Sequence, residues 1–139
     1  MEEKIRIYCD TNIYLDFLLG RKDHIRPLDE FARQIFKRVE DGEFLLIISD
    51  HLLFELQNKI SNEELDNLLQ PLHVRDRLIK IEKTQEEIEQ AKNLSKEHWK
   101  DMLHAVLAKR AKAKYIITRN VYDFAGSEHL VQTMLPENI

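Results

Sequence analysis

The hydrophobic positions fall into two alternating kinds of segment. Short runs rich in β-branched and aromatic residues occupy 4–9, 44–49, 78–82 and 115–118, with a weaker one at 130–134. Runs of this length and character read as strands. Between them lie longer segments, 12–19, 27–41, 50–60, 62–71 and 85–113, in which apolar side chains recur at three- and four-residue spacing. That spacing predicts helices. Boundary residues agree: Gly42 follows the second helix, and Thr84 with Glu87 forms a capping box for the last, within which Ser95 is a point where the helix can restart.

Strands alternating with helices imply parallel pairing through helical crossovers. A run such as Phe44 to Ile48, apolar at every position, belongs to a strand covered on both faces. The pattern therefore predicts a three-layer α/β/α sandwich around a mostly parallel sheet.

Composition narrows the setting. The chain has 139 residues, 43 % of them hydrophobic, with only three glycines and three prolines. No low-complexity tract or repeat interrupts it, so one domain spanning residues 1–139 is expected. The single cysteine, Cys9, has no internal partner. No basic start leads into an apolar run and no apolar stretch is long enough to span a bilayer, so a soluble cytosolic protein without membrane contact is expected. The net charge of −4 argues against a grip on nucleic acid through a bulk positive field. It is compatible with several acids gathered around a cation, whose own charge restores local attraction for phosphate.

Open α/β sheets carry their sites beyond the carboxyl ends of the strands. Asp10 follows the first strand directly; Ser49 and Asp50 follow the second and begin a helix whose second turn carries Glu55; Arg119 and Asn120 follow the fourth. Asp101 lies on the helix before that strand, with His104 at helical spacing. Asp10, Glu55 and Asp101 are far apart in sequence, so no local need places them. Oxygen ligands from separate elements are what Mg²⁺ or Mn²⁺ takes, and a cation so held can activate water against a phosphodiester. Each acid also has a plainer reading: Asp10 as a helix cap, Glu55 as a solvated helix position, Asp101 as one half of a surface ion pair. Cys9 reads as a buried, inert thiol, and the six histidines show no zinc-type spacing.

The conjunction is more specific than its parts. The segments Tyr8-Cys9-Asp10-Thr11-Asn12, Ile48-Ser49 followed by Glu55-Leu56, Asp101-Met102-Leu103-His104-Ala105, and Ile117-Thr118-Arg119-Asn120 with Asp123-Phe124 resemble, in order and spacing, the PIN-domain family, including the VapC-like toxins of toxin–antitoxin pairs. The resemblance implies a Mg²⁺- or Mn²⁺-dependent ribonuclease whose metal-binding and catalytic acids are Asp10, Glu55 and Asp101. It implies that Asn12 and Thr118 line the substrate pocket, and that the partners are an RNA substrate, an antitoxin protein and a second copy in a homodimer. Asn120 stands where many members carry a fourth aspartate, which weakens a second metal site; Asp123 is the acid nearest to compensate, or it caps the next short helix. Among the cations, Arg119 is the one placed to contact phosphate.

Other phosphoryl chemistries fit less well. A haloacid-dehalogenase-type phosphoacceptor needs a second acid two residues after the first, where this chain has Asn12. A receiver domain needs an acidic pair at the first strand end. The remaining alternative is a PIN-like scaffold that binds RNA or protein without cutting.

Overall fold

The computed structural model describes residues 4–22 and 26–139. Strand β1 (Ile5–Cys9) leads into helices α1 (Thr11–Leu18) and α2 (Leu28–Glu40); β2 (Phe44–Ser49) is followed by α3 (Asp50–Gln57) and α4 (Asn62–Val74). Strand β3 (Leu78–Ile81) is followed by α5 (Gln85–Leu94) and α6 (Trp99–Arg110), then β4 (Tyr115–Ile117), a 3₁₀ segment Val121–Ser127, β5 (Gln132–Met134) and a short 3₁₀ turn Pro136–Asn138.

All pairings are parallel, in the order β3-β2-β1-β4-β5. The chain steps outward from β1 to β2 to β3, then returns across the sheet to β4 on the other side of β1. Right-handed crossovers in opposite directions put α1 to α4 on one face and α5 and α6 on the other. This is the expected α/β/α sandwich. The order reverses between β1 and β4, so the crevice beyond their carboxyl ends is the topological switch point where such sheets hold ligands.

The central strands are buried over most of their length: Ile7, Tyr8, Leu46, Ile47, Ile116 and Ile117 are inaccessible to solvent. Each large apolar side chain so buried contributes roughly 1.5–3 kcal/mol, which fixes the register and hence the residues that emerge at the strand ends. Cys9 is buried among them, and burial pushes its thiol well above the ordinary range. No described helix is long and apolar enough to cross a membrane.

Helix α4 runs past the end expected from the sequence, and the restart expected at Ser95 is observed. Helix α4 passes through Pro71 to Val74. Proline removes one internal hydrogen bond, but buried Leu72 anchors the last turn, and the Pro71 carbonyl accepts from the Arg75 N–H at 3.3 Å and its guanidinium at 3.1 Å. Segment 85–113 is two helices. Ser95 is extended (φ −161°, ψ 123°) and its hydroxyl accepts the His98 N–H at 3.0 Å, so the chain turns there and α6 starts at Trp99.

Candidate metal centre

Asp10 leaves β1 with its N–H donating to the Ile117 carbonyl at 2.9 Å. It does cap α1, accepting the Thr11 N–H on Oδ1 at 2.8 Å. Its other oxygen, Oδ2, accepts from Asn12 Nδ2 and from the Thr118 hydroxyl, both at 3.0 Å. The Asn12 amide is aimed by the Arg119 N–H, which donates to its Oδ1 at 3.3 Å. Asp10 is only 7 % exposed, and all three groups that donate to it are neutral. Burial raises its pKa, and Glu55 adds to the rise, while His104, Thr11 and Thr118 offset it in part.

Glu55 projects from the second turn of α3. Its Oε1 accepts from the Thr11 hydroxyl at 2.8 Å and from His104 Nε2 at 2.6 Å. Burial works against its charge, but the hydrogen bond and charge of His104, with Thr11, outweigh it and lower its pKa to about 2. Glu55 is therefore a carboxylate at all ordinary pH values. Its Oε2 makes no hydrogen bond among the described residues and lies 3.9 Å from Nε2 of His51.

Behind Glu55 lies a buried chain of polar groups. Tyr8 Oη is 2.6 Å from both His104 Nδ1 and Ser49 Oγ, and Ser49 Oγ accepts the Leu52 N–H at 3.0 Å as the cap of α3. With the His104 proton on Nε2, the hydrogen bonds run in one direction, from Ser49 through Tyr8 and His104 to Glu55, and no atom is left unpaired. Burial opposes a second proton on His104, but the acids around it, Glu55 first, raise its pKa above the ordinary value. His51 stacks on it at 4.4 Å between ring centroids, and Nε2 of His51 donates to the Lys100 carbonyl at 3.1 Å. Burial and the His104 charge push the His51 pKa down to about 4. His51, Glu55 and His104 bring donor atoms within 4.8 Å of one another, but both nitrogens of His104 are spent on Tyr8 and Glu55. The cluster supports the Glu55 carboxylate.

Asp101 sits in the first turn of α6 and lines the same pocket as Asp10, Thr11, Asn12, Glu55 and Lys59. Its carboxylate makes no hydrogen bond among the described residues. Burial, then the charges of Asp10, Asp123 and Glu55, raise its pKa to about 6 against a smaller opposing effect of His104. The three acids line one pocket, but their donor atoms do not all come within 4.8 Å of one another as those of His51, Glu55 and His104 do. Asp123 is near enough to act on Asp101 but is exposed, and it caps nothing: it lies within the 3₁₀ segment, which has no side-chain cap. Asn120 is exposed, its backbone N–H donates to Thr118 Oγ1 at 3.0 Å, and its side chain makes no hydrogen bond among the described residues.

Arg119 has another partner than the expected phosphate. Its Nε and Nη2 donate to the two oxygens of Asp16 at 2.7 and 3.1 Å. Asp16 is 1 % exposed, so the guanidinium is held as the counter-charge of a buried acid, with Arg21 3.9 Å away as a second cation. A buried acid on α1 facing a strand-end arginine was the available signal in the sequence, but only the fold brings them together.

The donor set fits a hard divalent cation. Three carboxylates, from the N-cap of α1, from α3 and from α6, line one pocket, free lone pairs remain on Glu55 and Asp101, and the pKa values of Asp10 and Asp101 are raised, by burial first and by neighbouring acids second. The fold and this pocket define a parallel α/β protein built around a polyacidic crevice at its switch point. The chain belongs to the PIN domain family, whose model matches residues 6–122. Among solved structures, it is similar to VapBC2 from Rickettsia felis bound to a DNA fragment from their promoter, with a TM-score of 0.60, 18 % identity, and 94 % of this chain and 98 % of that chain covered. At that identity the likeness is one of fold. No curated protein matches the sequence.

Proposed function

We propose that the chain acts as one cytosolic nuclease domain that hydrolyses RNA phosphodiester bonds with Mg²⁺ or Mn²⁺ held by Asp10, Glu55 and Asp101. The observation that carries this reading is Asp10: a nearly buried carboxylate beside two other acids, whose hydrogen-bond partners are all neutral. Membership of a family of nucleases and the fold shared with a toxin–antitoxin complex support its being the toxin of such a pair, with an antitoxin partner.

The protein's own groups have distinct tasks in this proposal. Asn12 and Thr118 hold Asp10 Oδ2, and Thr11 and His104 hold Glu55 Oε1, so both carboxylates keep fixed positions. Asp101 has no hydrogen-bond partner among the described residues, so both of its oxygens are free for the cation. A divalent cation, when bound, supplies Lewis-acid stabilisation of the charge that develops on the phosphate. Arg119 keeps Asp16 neutralised and aims Asn12. A non-cutting scaffold is the second reading, favoured by the exposed Asn120 in place of a fourth acid.

A panel of RNAs and DNAs incubated with Mg²⁺ or Mn²⁺, with and without chelator, separates the two. The proposal expects chelator-sensitive RNA cleavage that falls at least about a hundredfold in Asp10→Asn, the scale of losing a principal electrostatic stabiliser. Equal rates in a folded variant would exclude Asp10 from the chemistry.

A further inference from the structure

Among the described residues, His51, Glu55 and His104 are the group of histidine, cysteine or acidic side chains whose donor atoms all lie within 4.8 Å of one another. His51 and Glu55 stand one turn apart on α3 and so share a face. Helix α6 sets His104 against them, its ring 4.4 Å from that of His51. Both rings are buried and neither lines the acid pocket; of the three, only Glu55 does. Glu55 therefore stands between two sets of donors, acids on one side and imidazoles on the other.

Two imidazoles and a carboxylate with a fourth position left open form a zinc donor set. Imidazole nitrogen favours Zn²⁺, whereas Mg²⁺ and Mn²⁺ favour carboxylate and water oxygen. The two oxygens of Glu55 each face one histidine, Oε1 at 2.6 Å from His104 Nε2 and Oε2 at 3.9 Å from His51 Nε2. Bonds of about 2.0–2.1 Å in a tetrahedron set ligand atoms about 3.3 Å apart, so the first pair must open and the second close by only about 0.6–0.7 Å. The half-buried Glu55 opens the way in from the pocket.

The groups behind the rings accommodate such an ion. Without it, the His104 proton on Nε2 holds Glu55. An ion on Nε2 requires the other tautomer, and the buried run then reverses: His104 Nδ1–H donates to Tyr8 Oη, and Tyr8 donates to Ser49 Oγ, across the same 2.6 Å separations. An outer hydrogen bond of this kind is what fixes a metal-bound histidine. His51 Nε2 gives up the Lys100 carbonyl, which lies within α6 and there also accepts the N–H four residues further on. Glu55 supplies one negative charge, and Asp10 and Asp101 share its pocket.

We propose that His51, Glu55 and His104 form a second metal site, selective for Zn²⁺ and set behind the acid pocket, and that Zn²⁺ bound there draws Glu55 away from the pocket and inhibits the Mg²⁺- or Mn²⁺-dependent reaction. The inhibition rests on the nuclease reading; the site itself does not.

The experiment titrates the full chain with Zn²⁺ against a chromophoric chelator and with Mn²⁺ by calorimetry, and follows RNA cleavage in Mn²⁺ with and without added Zn²⁺. Two variants remove the His51 ligand: His51→Phe keeps a stacked ring, and His51→Gln keeps a donor for the Lys100 carbonyl. Each should weaken Zn²⁺ at least about a hundredfold, since a lost ligand costs more than the roughly 10–100-fold of a lost outer partner, and each should leave Mn²⁺ affinity within about twofold of the parent's, because imidazole adds little to a site of hard oxygens. Asp101→Asn should do the reverse, losing Mn²⁺ and keeping Zn²⁺. Co²⁺ added to the parent should give the intense visible absorption of a tetrahedral ion with nitrogen ligands, which an ion among carboxylates and waters does not show. That spectrum needs no variant, so it decides even if both His51 substitutions unfold the chain. Zn²⁺ bound through His51 by a parent that cuts nothing would uphold the site and remove the nuclease reading. Cleavage that Zn²⁺ leaves untouched at saturation overturns the inhibition. A parent that binds no Zn²⁺, or whose Zn²⁺ is lost in Asp101→Asn and kept in both His51 variants, overturns the site, because the ion then lies among the acids.

Discussion

Helix α1 and its N-cap carry two buried aspartates, and the protein treats them differently. Asp16 is 1 % exposed and meets a bidentate guanidinium, with a second arginine nearby. Asp10, at the helix start, is 7 % exposed and is given an amide, a hydroxyl and a backbone N–H, all neutral, with Glu55 and Asp101 for neighbours. Removing a carboxylate from water is costly unless charge or hydrogen bonds replace the lost solvation. At Asp16 the replacement is built into the chain, and the acid is structural. At Asp10 it is incomplete, which the cation of the proposed function would make good. The two ends share Asn12 and Arg119, so the structural pair also aims the ligand of the other.

The largest expected effect breaks the structural end. Asp16→Ala leaves Arg119 without its partner and should lower the unfolding free energy by about 3 kcal/mol, the low end for breaking a buried pair because the arginines reach solvent. Asp10→Asn, which keeps a cap acceptor and removes only charge, should cost less than about 1 kcal/mol in the absence of metal. Urea denaturation in EDTA compares them. Equal losses would mean that both acids are structural and would dissolve the distinction.

What could be read in the sequence follows the same division. The apolar runs of β1, β2 and β4 and the spacing of α2 specify elements locally, because burial of alternate or successive side chains is recorded in the chain itself. The acids of the pocket were legible because they stand just beyond strand ends or on the helix that precedes one. Their supports were not. Thr11 on Glu55, the run from Ser49 through Tyr8 to His104, and the capture of Arg119 by Asp16 each join residues more than 40 apart. Tyr8 and His104 gave one hint, as polar-tipped residues inside otherwise apolar stretches. Arg119 reads as a free strand-end cation because its partner Asp16 lies on another element.

A middle-sized effect sharpens the account of how Glu55 is held. His104→Gln retains a donor but shortens the reach to Glu55 and loses the acceptor for Tyr8, so it should weaken Mn²⁺ binding about tenfold, the lower range for removing a supporting partner of a metal ligand. Tyr8→Phe leaves His104 in place and should have less effect on Mn²⁺ while lowering stability by about 1 kcal/mol, because buried Ser49 and His104 each lose a partner. Calorimetric Mn²⁺ titration and thermal melts measure the two. If Tyr8→Phe weakened Mn²⁺ as much as His104→Gln, the entire chain and not the histidine alone would set the carboxylate.

The smallest effect tests the acid end without any substrate. In the folded protein Asp101 has its pKa raised to about 6 by burial and by Asp10, Asp123 and Glu55, whereas in the unfolded chain it is an ordinary carboxyl near ~3.9. Below both values each state is protonated and no penalty exists. As pH rises between them the unfolded chain ionises first, so this acid destabilises the fold progressively and fully above about 6. The full linkage of ~3 kcal/mol must be discounted because the carboxyl is only half-buried, leaving about 1 kcal/mol at neutral pH. One opposing effect is the position in the first turn of α6, where a negative charge gains roughly 0.3–1 kcal/mol from the helix dipole; three neighbouring acids outweigh it. Asp101→Asn should therefore raise the melting temperature in EDTA at pH 7.5, with the gain shrinking toward pH 4, and should lose most of the stabilisation that Mg²⁺ or Mn²⁺ gives the parent by linkage. Melts of both proteins at the two pH values, with chelator and with metal, measure all four terms. A variant less stable than the parent at neutral pH, together with an unchanged metal shift, would return Asp101 to an ordinary helix-terminal acid and separate it from Asp10.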